Sequence, residues 1–382
     1  MNARERFLEV ARFGNPDKVP LNVGGARPAT LRRWRREGLP EGVSPQEYLG
    51  LVKCNLRSVN ITSYPSEGFK WAPSDTLLNL GPIPPFEYRV IREDERYRVW
   101  VDSLGVTQLG FQDDWRNGWS GFATRTFIDF PVKSRDDFEK IKKRYDPNSR
   151  ERYPAKWPSL VERLRERDYP VAMTLRGPFW WTRDMMGLEG MLLAFYRDSS
   201  LVEDVLEHYL EFHLRVLPRA LEEVEVDYVV FNEDMAYKAG PMISPGMFRD
   251  YMSPVYSEIC RMLRSHGVEV LVVDSDGNAE PLIPELIRAG VNGITPCEVA
   301  AGMDVLELRR KYPRLVLFGG IDKRRLARSR RDIEKEVYRK VPPLVETRGY
   351  FPGVDHAVPP DVSFQNFSYF VSLLKKICGW EE

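Results

Sequence analysis

The stretch Val268-Glu-Val-Leu-Val-Val-Asp-Ser-Asp-Gly-Asn278 decides the fold, because a short apolar run ends abruptly in polar residues. An apolar, β-branched run over 268–273 is typical of a strand that is buried on both faces, as in a parallel sheet. Its polar end then lies where parallel sheets and (β/α) barrels place their functional groups. Asp274 and Asp276 point to the same side of an extended chain, so they need a cation, a proton or a basic partner. The alternative is that one caps the next helix while the other is solvated.

The same pattern recurs along the chain, where short apolar strands alternate with amphipathic helices. We predict two strands near the N-terminus and six from residue 171 onward, over 19–23, 58–62, 171–175, 227–231, 268–273, 291–295, 315–319 and 349–352. Alternation of strands and helices indicates a parallel sheet, and eight strands favour a (β/α)8 TIM barrel over a doubly wound sheet. We expect residues 1–382 to form a single barrel domain, since such barrels commonly have this length.

The segment from about 84 to 130 breaks this rhythm. Within it, residues 86–102 alternate apolar and polar side chains on both sides of an acidic turn, which is the pattern of a β-hairpin. A tryptophan-rich loop with Trp115 and Trp119 follows, and its aromatic rings either line a pocket or attach the segment to the barrel. We therefore predict a hairpin insertion that covers one end of the barrel, after an N-terminal extension that starts with a helix at 1–18.

The composition excludes several classes of protein. Lys plus Arg equals Asp plus Glu at 56 each, so no charge excess points to nucleic acid or to an anionic membrane. The sequence has no apolar run of about 18 residues and no N-terminal signal pattern, which predicts a cytoplasmic protein without a membrane segment. Its four cysteines are scattered without a Cys-x-x-Cys pair, so neither a disulfide framework nor a zinc ribbon is indicated.

Polar residues follow the six later strands, and in a barrel these positions lie on one rim. They are Arg176, Asn232-Glu233-Asp234, Asp274-Ser-Asp276-Gly-Asn278, Glu298, Asp322-Lys323 and Asp355-His356. A rim with many carboxylates and a histidine suits a divalent metal with oxygen and nitrogen ligands. Of the four histidines only His356 lies beyond a predicted strand. It is therefore a metal ligand, a general acid or base, or else a hydrogen-bonded loop anchor.

Several segments make the sequence resemble the uroporphyrinogen decarboxylase superfamily, which includes the decarboxylase and cobamide-dependent methyltransferases. They are Gly177-Pro178-Phe179, Ser244-Pro245 with Phe248, Asp274-Ser-Asp276-Gly277, and Asp355-His356-Ala-Val-Pro-Pro-Asp-Val-Ser-Phe-Gln-Asn366. The resemblance covers residues 170–378 well. The Arg-Gln-Ala-Gly-Arg-Tyr stretch that binds porphyrin carboxylates in the decarboxylase is absent, and Gly24-Gly-Ala-Arg-Pro28 stands in its place. This difference argues against a tetrapyrrole substrate and favours the methyltransferase branch.

The resemblance implies a metal site. Asp274 and Asp276 stand where the methyltransferases carry a His-x-Cys motif, and His356 stands in the place of their third, cysteine, ligand. Glu298 is a further candidate ligand. Carboxylates with one imidazole form a harder site than thiolates but still suit zinc. By analogy, the zinc would polarise the donor oxygen while a reduced corrinoid takes the methyl group. The chain has no Asp-x-His-x-x-Gly corrinoid motif, so the corrinoid is expected on a separate protein.

The leading hypothesis is therefore a zinc-dependent methyltransferase of the demethylase type, which moves a methyl group from a small donor, such as a methoxylated aromatic, to a corrinoid protein. A homodimer is a further expectation. The candidate catalytic acids and bases are Glu233, Asp234 and His356. The candidate substrate-binding residues are Arg27, Arg176, Phe179, Trp180 and Trp181, and for the three aromatic residues packing in the core is an equal alternative.

Two other hypotheses remain open. A metal-free decarboxylase or related lyase would use Arg27 and Arg176 to hold substrate carboxylates, while the acids handle protons. It predicts full activity after chelation and no need for a corrinoid partner. A catalytically idle barrel that serves as a binding or assembly subunit predicts that alanine at Asp276 and His356 changes stability rather than turnover.

Overall fold

A parallel β-sheet forms the centre of the molecule, in a computed structural model that describes residues 1–66, 68–112 and 125–381. In these ranges the strands are β1 (Val59–Asn60), β2 (Thr62–Ser63), β3 (Leu78–Asn79), β4 (Arg89–Glu93), β5 (Tyr97–Val101), β6 (Thr107–Phe111), β7 (Arg125–Asp129), β8 (Val171–Arg176), β9 (Tyr228–Asn232), β10 (Ala236–Tyr237), β11 (Gly240–Pro241), β12 (Val270–Asp274), β13 (Gly293–Thr295), β14 (Val316–Ile321) and β15 (Tyr350–Val354). Seven of them pair in the order β1-β8-β9-β12-β13-β14-β15, with every neighbouring pair parallel. The fold is therefore α/β, and the six strands predicted from residue 171 onward are present.

Helices connect most of these strands. The α-helices of the described residues are Ala3–Ala11, Pro28–Arg36, Pro45–Tyr48, Arg135–Lys142, Trp157–Leu164, Pro178–Met186, Leu188–Arg197, Ser199–Glu223, Pro245–Met247, Ser253–Ser265, Ile283–Arg288, Val305–Lys311, Lys323–Leu326, Arg330–Thr347 and Phe364–Ile377. A π-helical turn, Phe248–Met252, and short 3-10 turns add to them. None of the described helices is long and apolar enough to cross a membrane.

The core surrounds the sheet on both sides, as the apolar strand sequences predict. Every residue of β14 and β15 is buried, and in β12 only the last residue, Asp274, is partly accessible. The strands therefore change from apolar to polar at their carboxyl ends. This change places the ionisable side chains at one edge of the sheet.

The first predicted strand, at 19–23, is not a regular strand. Its backbone nevertheless forms hydrogen bonds with two neighbouring segments. The N–H of Asn22 donates to the carbonyl of Pro352 in β15 at 2.7 Å, and the N–H of Leu21 donates to the carbonyl of Cys54 at 2.8 Å. Pro20 has no N–H to donate, so a continuous ladder cannot form through it. The described sheet thus has seven strands, and a complete eight-stranded barrel stays a prediction.

In chain order, the strands of a separate antiparallel sheet come between β3 and β8. Its order is β4-β5-β6-β7, and β4 and β5 form the predicted hairpin. The carboxylate of Asp94 fixes the hairpin turn, because it accepts hydrogen bonds from the N–H groups of Arg96 and Tyr97. Two further strands, β6 and β7, extend the hairpin into a four-stranded sheet. The sequence patterns did not predict these two strands. Trp115 and Trp119 lie outside the described residues.

Candidate functional site

Three neighbouring strands end at the same level of the sheet with polar side chains in contact. Strand register pairs Asn232 with Arg176 on one side and with Asp274 on the other. Arg176 donates from Nη1 to Oδ1 of Asn232 at 2.9 Å, and Asn232 donates from Nδ2 to Oδ2 of Asp274 at 3.1 Å. The carboxyl ends of β8, β9 and β12 are thus joined by one chain of side-chain hydrogen bonds.

Asp274 has an environment that favours its protonated form. Burial raises the pKa of Asp274 to about 7, and the negative charges of Asp234 and Asp276 act in the same direction. The hydrogen bond from Asn232 and the positive charge of His356 partly oppose this rise. The Asp274 carboxyl can therefore both hold and release a proton near neutral pH.

The second acidic residue of the motif, Asp276, contacts His356. The Nε2 atom of His356 lies 3.3 Å from Oδ2 of Asp276, and this contact raises the pKa of the imidazole more than burial lowers it. The turn after Asp276 requires glycine, because Gly277 has a φ of +77° and a Cβ there would meet the backbone of Ala236 at 2.7 Å. The Asp276–His356 pair joins β12 to the loop after β15.

Asp234 completes the acidic group. Its φ of +40° is in the left-handed region, which aspartate tolerates better than most residues. Its Oδ1 atom accepts a hydrogen bond from the N–H of Asp276 at 3.1 Å. The carboxylate therefore orients the backbone of the Asp276 turn, and its charge acts on Asp274. Hereafter the acidic site denotes Asp234, Asp274, Asp276 and His356.

Lys323, to which the sequence analysis assigned no role, contacts two acidic side chains at the strand ends. Its Nζ atom lies 3.5 Å from Oε1 of Glu298 and 3.4 Å from Oδ1 of the buried Asp355. Asp355 also accepts hydrogen bonds from the N–H groups of Val299 and of Lys323 itself. The only sequence signal for this arrangement is the position of Asp322-Lys323 directly after a strand.

The predicted metal ligands do not form a ligand set. In the described part of the chain, no three His, Cys, Asp or Glu side chains are grouped as a metal site requires. Glu298 instead faces the Lys323 ammonium, and Asp276 faces His356. Glu298 and Asp276 thus each lie beside a basic side chain, and the zinc site remains a prediction.

Glu233 is directed away from the acidic site and into the core. Its carboxylate is fully buried and accepts hydrogen bonds from Trp180 N–H at 2.9 Å, Phe179 N–H at 3.3 Å and the Tyr256 hydroxyl at 2.5 Å. Burial raises the pKa of Glu233 to about 7, against the effect of these bonds. Glu233 therefore holds the first turn of the helix Pro178–Met186, and its catalytic role remains a prediction.

Replacing Glu233 with glutamine is expected to lower the free energy of unfolding by about 1–3 kcal/mol. The carboxamide presents a nitrogen where a carboxylate oxygen now accepts, so one buried N–H of the helix loses its acceptor. Glu233 is more easily protonated in the folded state, so wild-type stability decreases as pH rises from about 4.5 through about 7. The variant lacks this titration, so its deficit should shrink over that range.

Urea unfolding at several pH values measures this effect. Exposed Glu346 on the helix Arg330–Thr347 provides the matched control, and Glu346→Gln should change stability by less than about 0.5 kcal/mol. A Glu233→Gln variant as stable as the control would show that the buried carboxylate does not hold the helix.

The three predicted aromatic residues separate into two groups. Phe179 and Trp181 are fully buried in the core, so the packing alternative applies to them and they do not line the site. Trp180 is partly accessible, and its ring lies between the guanidinium groups of Arg176 at 4.1 Å and Arg183 at 4.2 Å. Trp180 therefore makes cation–π contacts with two arginines, and its role in donor binding remains a prediction.

A polar cavity of about 330 Å³ opens next to the acidic site. Its lining includes Asn60, Thr62, Tyr64, Thr174, Arg176 and Asn232. Asn232 belongs both to this lining and to the hydrogen bond with Asp274. Arg27 contacts the loop that carries His356. Its backbone N–H donates to the carbonyl of Val358 at 3.2 Å, and its positive charge lowers the pKa of His356. A small polar molecule in the cavity would thus contact Asn232, whose amide group is hydrogen-bonded to the Asp274 carboxyl.

Comparison with known proteins identifies the family. Residues 124–377, about two thirds of the chain, match the family described as uroporphyrinogen decarboxylase (URO-D). The chain belongs to the uroporphyrinogen decarboxylase family. The matched part contains the whole acidic site, together with Arg176, Asn232 and Lys323, whereas Arg27 and Asn60 precede it. The comparison with curated protein sequences finds no match.

One solved structure shows a similar fold over the whole chain. A methyltransferase from Methanosarcina mazei is similar over 98% of this URO-D chain and 99% of its own, with a TM-score of 0.54 and 12% identity. A putative vitamin-B12 independent methionine synthase from Listeria monocytogenes aligns over 58% of this chain and 70% of its own, at 11% identity and a TM-score of 0.34, which is too low to bear on the fold. The first similarity extends the shared fold to the N-terminal part of the chain.

Proposed function

We propose that this protein is a methyltransferase of the uroporphyrinogen decarboxylase superfamily, which moves a methyl group from a small donor, such as a methoxylated aromatic, to a separate corrinoid protein. The observation that carries the proposal is that Asn232, which lines the polar cavity, donates a hydrogen bond to Asp274 of the acidic site. The full-length similarity in fold to a structure described as a methyltransferase gives further support.

The chemistry requires a proton donor. Transfer of a methyl group from a methoxy oxygen breaks the carbon–oxygen bond and leaves the electron pair on oxygen, which then takes a proton. A reduced corrinoid on its carrier protein would supply the nucleophile for the methyl carbon. We assign proton donation to the Asp274 carboxyl, because Asn232 links it to the cavity lining. After it has lost its proton, the carboxylate is stabilised by the N–H of Asn232 and by the charge of His356.

Zinc enters no step of this proposal, because the described side chains do not form a ligand set. The zinc prediction has its own test, which is elemental mass spectrometry of the purified protein beside Asp276→Ala and His356→Ala. Near-stoichiometric zinc that falls in both variants would restore the metal hypothesis and require the side chains to rearrange around the ion.

Replacing His356 with glutamine is expected to slow methyl transfer by about 10- to 100-fold, because the Asp274 carboxylate loses a stabilising positive charge. The same loss raises the pKa of Asp274, since the charge of His356 lowers it in the wild type. The pH at which the rate falls should therefore move upward. Rates measured across pH for the wild type, for His356→Gln and for the control His266→Gln, outside the acidic site, test this. A pH–rate profile of His356→Gln that matches the wild-type profile would show that His356 does not affect the titration of Asp274.

The proposed activity can be tested without knowing the natural donor. The purified protein is incubated with cob(I)alamin and deuterium-labelled 2-methoxyphenol, methanol or dimethylamine, and labelled methylcobalamin is measured by mass spectrometry. We expect transfer from at least one donor. Absence of transfer from all three, combined with release of carbon dioxide from a carboxylated probe such as 2-methoxybenzoate, would favour the lyase.

The lyase remains the second candidate because of one observation, the guanidinium group of Arg176 in the cavity lining. A carboxylate in the cavity would be attracted to it, and Asp274 could then exchange a proton with the carbon that loses carbon dioxide. Arg176 is, however, already 3.2 Å from the buried Asp184 carboxylate. Its charge is therefore partly compensated, which makes this candidate weaker.

A further inference from the structure

A second cavity, of about 390 Å³, lies outside the acidic site. It is bounded by the loop 24–26, the helix Pro28–Arg36 and the C-terminal helix Phe364–Ile377. Leu31, Leu51 and Phe367 contribute apolar surface to it. The volume is within the range of roughly 300–1,000 Å³ that is usual for small-molecule sites.

Arg35 gives this cavity a positive charge. The residue lines the cavity, and its side chain is 24% exposed. The nearest carboxylate, Glu41, lies 3.8 Å from Nε and is 89% exposed, so it compensates the guanidinium only weakly.

The other arginines of this helix do not occupy the cavity. Arg33 bonds to Glu37 and to the carbonyl of Pro360, whereas Arg32 and Arg36 are exposed. The basic run in the sequence therefore contains one arginine with a distinct environment. An apolar cavity with a single partly buried guanidinium matches a ligand that has one anionic end and an apolar body.

We propose that this cavity binds a small monocarboxylate, with its carboxylate on Arg35 and its apolar body between Leu31, Leu51 and Phe367. Guanidinium and carboxylate groups match in geometry and charge, which makes this pair specific. The proposal does not depend on methyl transfer, because none of these residues belongs to the acidic site.

The site also has a physical connection to the loop of His356. Gly25 accepts a hydrogen bond from Val358 at 2.8 Å, and Arg27 donates to Val358 at 3.2 Å, so the cavity wall pairs with the segment two residues beyond His356. A ligand that orders the wall would therefore also restrain this segment. This contact gives a reason to measure His356-dependent activity with the cavity filled.

Isothermal titration calorimetry with 2-naphthoate tests the proposal, with neutral 2-naphthamide as the matched ligand. We expect one molecule of 2-naphthoate per chain, bound at least tenfold more tightly than the amide. Arg35→Gln should weaken 2-naphthoate at least tenfold and leave the amide unchanged, and Arg35→Lys should retain part of the affinity. Arg36→Gln, next to it on the same helix, should bind as the wild type does.

His356→Gln serves as the second control, because His356 belongs to the acidic site and is not among the residues that line this cavity, and this variant should bind 2-naphthoate more tightly than Arg35→Gln does. Loss of binding in His356→Gln but not in Arg35→Gln would place the ligand at the acidic site and overturn the proposal. Absence of binding, or equal affinity for the acid and the amide, would overturn it as well.

Discussion

Replacing Asp274 with asparagine is expected to lower the rate of methyl transfer by about 10²–10⁴-fold, the usual contribution of a general acid. Asparagine keeps the size of the side chain but cannot donate a proton to the leaving oxygen. The wild-type rate should fall as pH rises through about 7, because the carboxyl then loses its proton. This fall should be absent in the variant. Initial rates of labelled methylcobalamin formation across pH measure both effects.

Asp361 supplies the matched control for this substitution. It is exposed and outside the acidic site, so Asp361→Asn should retain the full rate and the wild-type pH profile. Circular dichroism and urea unfolding show that each variant is folded before rates are compared. An Asp274→Asn variant with more than half of the wild-type rate would show that Asp274 is not the proton donor.

Replacing Lys340 with methionine is expected to lower the free energy of unfolding by about 3–5 kcal/mol, because a buried charge is left without its partner. Lys340 is fully buried, forms an ion pair with Glu336 and donates to the carbonyl of Gly320 at 2.8 Å. Glu336 in turn accepts from the N–H of Asp322 at 3.1 Å. This network lies directly before Lys323, so the loss should also loosen the loop that carries it.

The double variant Lys340→Met with Glu336→Leu separates the charge effect from packing. Removing both charges is expected to recover most of the stability, since a buried ion pair and an apolar pair of similar volume are often equivalent. Lys335→Met, exposed on the same helix, should change stability by less than about 0.5 kcal/mol. A single variant that loses less than about 1 kcal/mol in urea unfolding would contradict the assignment.

The strands could be predicted from the sequence because their composition is distinctive. The apolar run at 268–273 corresponds to β12 within two residues, and 349–352 corresponds to β15. Such runs have few alternative structures, since both faces must be buried. The segment 19–23 was harder to predict, because an apolar sequence with Pro20 as its second residue lacks one N–H of the ladder.

The side-chain contacts of the site could be predicted only in part. The polar strand ends identified the edge of the sheet, because parallel strands all end there. Neighbouring residues, however, take different directions: Glu233 enters the core, whereas Asp234 contacts the Asp276 turn. Lys323 between Glu298 and Asp355 depends on three separate loops meeting in space. No local pattern in the sequence encodes such distances.

The most direct test of the acidic site is the titration of the Asp274 carboxyl, followed by ¹³C NMR on protein with labelled aspartate and assigned by comparison with Asp274→Asn. We predict a titration midpoint near pH 7, which moves upward in His356→Gln. A midpoint near the usual value of about 3.9 would show that the carboxyl is ionised throughout. Asp274 would then have no proton to donate near neutral pH, and it would have to be interpreted as a metal ligand or a helix cap.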